Sequence, residues 1–153
     1  MRVLGIDPGT GIVGFGVVDK IGSKSILVDA GVIRTPANTP AHERLVTIFD
    51  DLKSIIKEHE PSIMVVEQLF FAKNVTTAMT VSQARGVILL LGEQMGLEIH
   101  EFTPLQIKQS LAGYGRAEKA QVQEMVRLQL NLKEMPKPDD AADALAAALT
   151  FIK

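Results

Sequence analysis

Three β-rich runs follow one another before any helical pattern appears, and this order constrains the fold more than any other feature of the chain. MRVLGID and IVGFGVVDK flank a Pro-Gly-Thr-Gly turn, and turn residues between two strand-forming runs predict an antiparallel hairpin. KSILVDAGVIRT, dense in Val, Ile and Thr, predicts a third strand beside them. Leu45, Ile48, Phe49, Leu52, Ile55 and Ile56 then recur at three-to-four spacing. That spacing puts them on one face of a helix over residues 41–60, stopped by Pro61. SIMVVE is an unbroken apolar run between a proline and a polar loop, the pattern of a strand buried on both faces.

A second helix is expected over about residues 76–95, with Ala84, Val87, Ile88, Leu91 and Met95 on one stripe. Leu89 and Leu90 fall on another face, which is more apolar surface than one sheet contact requires. LEIHEF predicts a fifth strand, Thr103 the cap of a helix through Leu111, GYGRAE a glycine-rich loop, and residues 119–130 a further helix. After Pro136 and Pro138 a final helix is expected, with Asp139 as its N-cap. The fold class is therefore α/β: a five-stranded mixed sheet flanked by helices, the layout of the ribonuclease H-like fold. No repeat or linker interrupts the chain, and residues 1–153 are expected to form one domain.

Composition narrows the chemistry. With no Cys, disulfides and thiolate metal sites are excluded, so any metal is held by oxygen or His, and a reducing, cytoplasmic setting is expected. MRVLGID is too short and too soon charged for a signal peptide, and no segment approaches the ~18 unbroken apolar residues of a membrane span. A net charge of −2 argues against a generic nucleic-acid binder, a class that is usually basic. Any DNA surface must be a local patch, and part of the acidic excess is available to hold cations.

The acids fall where elements end or begin. Asp7 closes the first strand, Glu67 closes SIMVVE, and Asp140 and Asp143 open the last helix three residues apart, hence on one face. Singly each has a plain structural explanation: a turn former before Pro-Gly, a solvated strand end, acids suited to a helix N-terminus. Together, in this order, they describe a divalent-metal site. Two Mg²⁺ ions ~4 Å apart can activate a water and stabilise the leaving oxygen of a phosphodiester, and Mg²⁺ favours such hard oxygen ligands beside an open cleft. Carboxylates this close raise each other's pKa until a cation binds. Asp139 to Asp143 is also a helical spacing; Asp140 is preferred because Asp139 follows Pro138 and suits the cap.

GIDPGTGIVGFGVV, EQLFFAKN, the QARGV segment, QIKQSLAGYGRAEKAQVQ and DDAADALAAAL, in this order across nearly the whole chain, resemble the RuvC family of Holliday-junction resolvases. The resemblance implies a homodimeric, Mg²⁺-dependent endonuclease, with Mn²⁺ able to replace Mg²⁺. It also implies paired nicks on opposing strands of a four-way DNA junction, leaving 5′-phosphate and 3′-hydroxyl ends, in recombination and repair. It puts the family's catalytic tetrad on Asp7, Glu67, Asp140 and Asp143, its DNA-contacting lysines on Lys108 and Lys119, and its stacking aromatic on Phe70. It further implies partnership with the RuvA–RuvB branch-migration complex and cutting within a short T-rich sequence. Phe71 departs from the pattern by making the aromatic a pair.

The residues support a DNA surface independently. Phe70 and Phe71 stand directly after a proposed metal ligand in a chain with six Phe and one Tyr. One ring stacked on an unpaired base is worth ~1–3 kcal/mol, while the other is expected to cover the sheet edge. Lys73 and Asn74 follow and can meet phosphate, as can Lys108, Arg116 and Lys119 around the GYG loop. Arg85, inside the apolar stripe, suits an interface ion pair or a phosphate contact equally. His42 and His100 have no ligand-like partner at suitable spacing. The second apolar face of the 76–95 helix is explained by a two-fold interface, or else by cover from within the chain.

Three rivals are weaker. A phosphate-loop ATPase of the actin and sugar-kinase type shares the GIDxGT-like start but needs two lobes, and 153 residues supply one. A ribonuclease on the same fold would share the acids, but EQLFFAKN and the doubly apolar helix favour a DNA junction. A non-catalytic junction binder would not need all four carboxylates.

Overall fold

Strand alternation decides which side chains meet above and below the sheet. The computed structural model describes residues 1–9, 11–68 and 74–153. In chain order the elements are β1 (Arg2–Asp7), β2 (Ile12–Ile21), β3 (Lys24–Arg34), α1 (Ala41–His59), β4 (Ile63–Glu67), α2 (Val75–Gln94), β5 (Glu98–Phe102), α3 (Pro104–Ala112), α4 (Lys119–Gln129) and α5 (Asp139–Ile152). The sheet order is β3-β2-β1-β4-β5. β1 pairs antiparallel with β2, and β2 with β3, whereas β1–β4 and β4–β5 are parallel. The hairpin, the third strand and the two later strands all form as expected.

One face of the sheet packs Leu4, Ile6, Met64 and Val66 against Ile48, Leu52 and Ile56 of α1 and Ala84, Ile88 and Leu91 of α2. The other face packs Val3, Val18 and Val65 against α3, α4 and α5, through Ile107, Leu111, Val122, Val126, Leu145 and Leu149. Successive residues of β1 and β4 thus serve opposite cores, as a period of two demands. Asp7 and Glu67 continue the Val3 and Val65 series, so their side chains belong to the α5 face.

α5 lies unusually close to the sheet because both surfaces are small. Its sequence, DDAADALAAALTFI, presents alanines, and the strands beneath present glycine. A Cβ at Gly5 would overlap the Ala144 carbonyl oxygen and stand 2.9 Å from the Ala148 nitrogen. One at Gly14 would overlap the Asp140 carbonyl, 2.5 Å from its carbon. Glycine inside a strand marks such a close approach.

Element ends differ from the sequence expectation by a residue or so. α2 begins at Val75 because Asn74 caps it, its side-chain oxygen accepting from the Thr76 and Thr77 amides at 3.1 and 3.3 Å. Asp139 is not the N-cap of α5: the cap position is Pro138, with no side-chain cap bond, and Asp139 is the first helical residue. Its carboxylate turns instead to Lys119 and Gln123, at 3.4 and 3.3 Å. Thr103 caps α3 as expected, in a reciprocal pair with Gln106 at 3.1 and 2.8 Å.

α2 is long and apolar enough to cross a membrane by length and composition. One of its faces is packed on the sheet, and its middle carries Arg85 paired with Glu101. Leu89 packs partly buried against the same core, but Val75, Met79 and Leu90 are 67%, 62% and 55% exposed, and Val46 of α1 is 58% exposed.

Candidate active site

β1 and β4 are parallel neighbours that finish together, so Asp7 and Glu67, the last residue of each, arrive side by side on the α5 face. Gly14 is the register partner of Asp7 across the hairpin. Because Gly14 has no side chain, the Asp140 backbone can sit directly over it, and Asp143 follows three residues along the helix. Two strand ends and one helix start thus bring four carboxylates to one place.

Their electrostatics show how closely they are set. Burial pushes the Asp7 carboxyl up to about 8, helped by the charges of Glu67, Asp143 and Asp140 and by a hydrogen bond with Glu67. Burial also raises Glu67, as does Asp143; the Asp7 hydrogen bond, Lys119 and Lys108 act the other way. Asp143 is raised by burial against the pull of Lys119. The Lys119 ammonium lies 3.2 Å from Asp143 and 3.4 Å from Asp139. Burial opposes its charge, but the two carboxylates outweigh burial and its pKa is raised. One proton on Asp7 and one lysine therefore compensate a cluster of negative charge.

Among the described residues, no three His, Cys, Asp or Glu side chains are yet gathered tightly enough to grip an ion. The donor set nevertheless fits a hard divalent cation. All donors are carboxylate oxygens, and the burial and mutual repulsion that favour a proton on Asp7 are what a cation would offset. A cavity of about 270 Å³ opens here, lined by Glu67, Asp143, Lys108 and Lys119 over Ile107 and Val122.

The tetrad expected from the sequence, Asp7, Glu67, Asp140 and Asp143, is brought together. The charge of Asp140 acts on Asp7, and those of both Asp139 and Asp140 act on Asp143. Lys108 and Lys119 line the same cavity. Arg116 is exposed in the loop between α3 and α4, and Asn74 has a structural duty as the α2 cap. Phe70, Phe71 and Lys73 lie outside the described residues. His42 is exposed, and His100 bonds Glu98 at 2.6 Å with its ring 4.4 Å from that of Phe151. Sequence reasoning missed the glycines that admit α5, although glycine inside a strand was the available signal. It also left Arg85 undecided; the guanidinium pairs within the chain, with Glu101. A larger cavity, about 650 Å³, is lined by Lys20, Lys24 and Lys153, with no acidic residue among the described residues of its wall.

A mixed five-stranded sheet whose adjacent central strands end in carboxylates, completed by two more from the last helix, defines a ribonuclease H-like protein of the acidic-cluster kind. The family model described as crossover junction endodeoxyribonuclease RuvC matches residues 3–151, and the chain belongs to this family. It is 57% identical over 150 residues to the crossover junction endodeoxyribonuclease RuvC of Brevibacillus brevis, covering 98% of this chain and 90% of that one. The protein of the same name from Desulfitobacterium hafniense is 54% identical over 149 residues, covering 97% and 90%. Among solved structures, T. thermophilus RuvC in complex with Holliday junction substrate superposes with a TM-score of 0.93 at 40% identity, covering 98% of this chain and 92% of that one.

Proposed function

We propose that residues 1–153 form one nuclease domain, an endodeoxyribonuclease that resolves four-way DNA junctions by paired symmetric nicks and leaves 5′-phosphate and 3′-hydroxyl ends. The observation that carries this is the meeting of Asp7, Glu67, Asp140 and Asp143, two of which, Glu67 and Asp143, line a cavity with Lys108 and Lys119. Likeness to a RuvC solved with a Holliday junction supports the substrate.

The cofactor is Mg²⁺, two ions per site, with Mn²⁺ as a substitute. Bound there, divalent ions would supply Lewis acidity at the phosphate and would lower the pKa of an attacking water. The chain's own groups do the rest. Asp7 and Glu67, with Asp140 and Asp143 from α5, would hold the ions as carboxylates. Lys119 and Lys108, on the wall of the same cavity, would meet the substrate phosphate. Phe70 or Phe71 stacks on an unpaired base, with Lys73, Asn74 and Arg116 beside the backbone.

Two active sites related by a two-fold axis suit a junction cut at two symmetric positions. The exposed apolar residues of α2 and α1, Val75, Met79, Leu90 and Val46, supply the surface that a second copy would cover. Leu90→Glu is expected to convert the dimer to a monomer in sedimentation equilibrium and to uncouple the two nicks, since a buried unpaired charge is costly. A dimer of unchanged mass would place the interface elsewhere. The setting is the bacterial cytoplasm, at the nucleoid, where RuvA–RuvB would deliver the junction.

The test is nicking of a synthetic junction with a movable homologous core, in Mg²⁺ or in EDTA, against linear duplex and an RNA–DNA hybrid. Paired nicks on the junction alone, and only with Mg²⁺, are expected. Cutting of the hybrid would favour a ribonuclease, and no cutting a binding module. For Lys119→Ala, junction affinity should fall and the slope of log K against log salt should drop by about one phosphate contact. Anisotropy titrations over a range of salt read this directly, and an unchanged slope would remove Lys119 from the phosphate contacts.

A further inference from the structure

Glu67 must be held in two ways: its carboxylate faces α5, while its main chain marks the last position of β4. The second requirement is not met by the sheet alone. β1 and β4 pair only as far as Ile6 and Val66, and the residue that follows β1 is Pro8, which has no N–H to offer. On the β5 side, the register runs to Glu67 and Phe102, and the Gln68 amide donates to the Phe102 carbonyl at 2.8 Å. The Glu67 carbonyl oxygen accepts from Arg85, whose Nε lies 3.2 Å away. The same guanidinium pairs through Nη2 with Glu101, the register partner of Val66.

Arg85 comes from α2, on the face of the sheet opposite α5. It therefore grips the Glu67 backbone without competing for the carboxylate. Its side chain is only 18% exposed, so it is committed to these partners and withdrawn from any phosphate on the surface. Arginine suits the task because its planar fork can serve a carbonyl and a carboxylate at once, whereas a lysine ammonium is a single point. Behind the hold begins the segment that leads to Phe70 and Phe71.

We infer that Arg85, anchored by Glu101, is a positioning residue that fixes the Glu67 main chain and so sets the carboxylate for metal binding. This rests on the nuclease reading above. The effect should appear in the affinity for metal and not in the affinity for DNA.

The experiment uses the full chain, with Arg85→Gln, Arg85→Lys and Glu101→Gln. Mn²⁺ binding to the DNA-free protein is followed by electron paramagnetic resonance of the free ion. Nicking is measured against Mg²⁺ concentration, and junction affinity in EDTA. Arg85→Gln is expected to raise half-saturating Mn²⁺ and Mg²⁺ about tenfold with junction affinity within about twofold, because the hydrogen bond that fixes the Glu67 main chain is lost. Arg85→Lys and Glu101→Gln should fall between it and the parent, and they carry the test if Arg85→Gln does not fold. Lower melting temperature with metal half-saturation unchanged in the folded variants would reduce Arg85 to a stabilising ion pair and overturn the inference. A parent protein that neither takes up Mn²⁺ nor nicks would overturn the nuclease reading itself, and this inference with it.

Discussion

Asp7→Asn is expected to lower junction nicking at least about 10³-fold, equivalent to ~4 kcal/mol of transition-state stabilisation, while junction affinity in EDTA stays near that of the parent. Asparagine keeps the size and the hydrogen bond but cannot become a charged ligand. The same substitution should make the metal-free protein more stable at alkaline pH. Burial and three neighbouring carboxylates hold the Asp7 carboxyl up at about 8, against about 3.9 in an unfolded chain. The folded state thus binds the extra proton between these values, and stability falls as pH rises across that window, flattening above about 8. Asparagine removes the group that must ionise, so the melting temperature at pH 8 should rise by ~5 °C or more, and its fall between pH 5 and 8 should become shallower. Divalent ions should stabilise the parent increasingly over the same range and Asp7→Asn little. Differential scanning calorimetry with and without Mg²⁺ reads both. Normal nicking by the variant would sink the metal-site reading, and an unchanged pH profile would sink the charge crowding behind it.

Gly14→Ala should be nearly as damaging, although it adds one methyl group and touches no charge. That methyl would overlap the Asp140 carbonyl, with the Asp140 Cβ 3.1 Å away. Helix backbone cannot yield locally, so the start of α5 must lift, taking Asp140 and Asp143 from Asp7 and Glu67. Overpacking typically costs about 1–3 kcal/mol, and the separated acids should lose metal affinity at least tenfold. The two effects are separable: the melting temperature reads the first, and Mn²⁺ titration of the folded fraction reads the second. Metal affinity equal to that of the parent would show that the contact of α5 with β2 does not set the site.

The strand and helix order was legible because each element announces itself over a short stretch. The spacing of Leu45, Ile48, Leu52 and Ile56 and the unbroken run of SIMVVE depend on neighbours within a turn or a pleat. The acids could be named for a similar reason: each lies at an element end that the local pattern already marks. The cap that Asn74 supplies to α2 was not read from the sequence, since a cap and a phosphate contact use the same short polar side chain. Asp139 was misplaced as a cap because its preference for Lys119 and Gln123 is set by α4, twenty or so positions earlier in the chain.

What the sequence determined by itself was therefore the set of elements and the chemical kind of the site, both consequences of local spacing and residue type. Tertiary structure alone decided the distances. Burial and the convergence of strand and helix ends make Asp7 hold its proton near neutral pH, and the glycines of β1 and β2 let α5 descend on the sheet. Arg85 acquires its partners, the Glu67 carbonyl and Glu101, only when α2 is laid across β4 and β5. Coulomb and hydrogen-bond energies depend on separations of a few ångströms between residues far apart in the chain, and such separations exist only once the chain has folded.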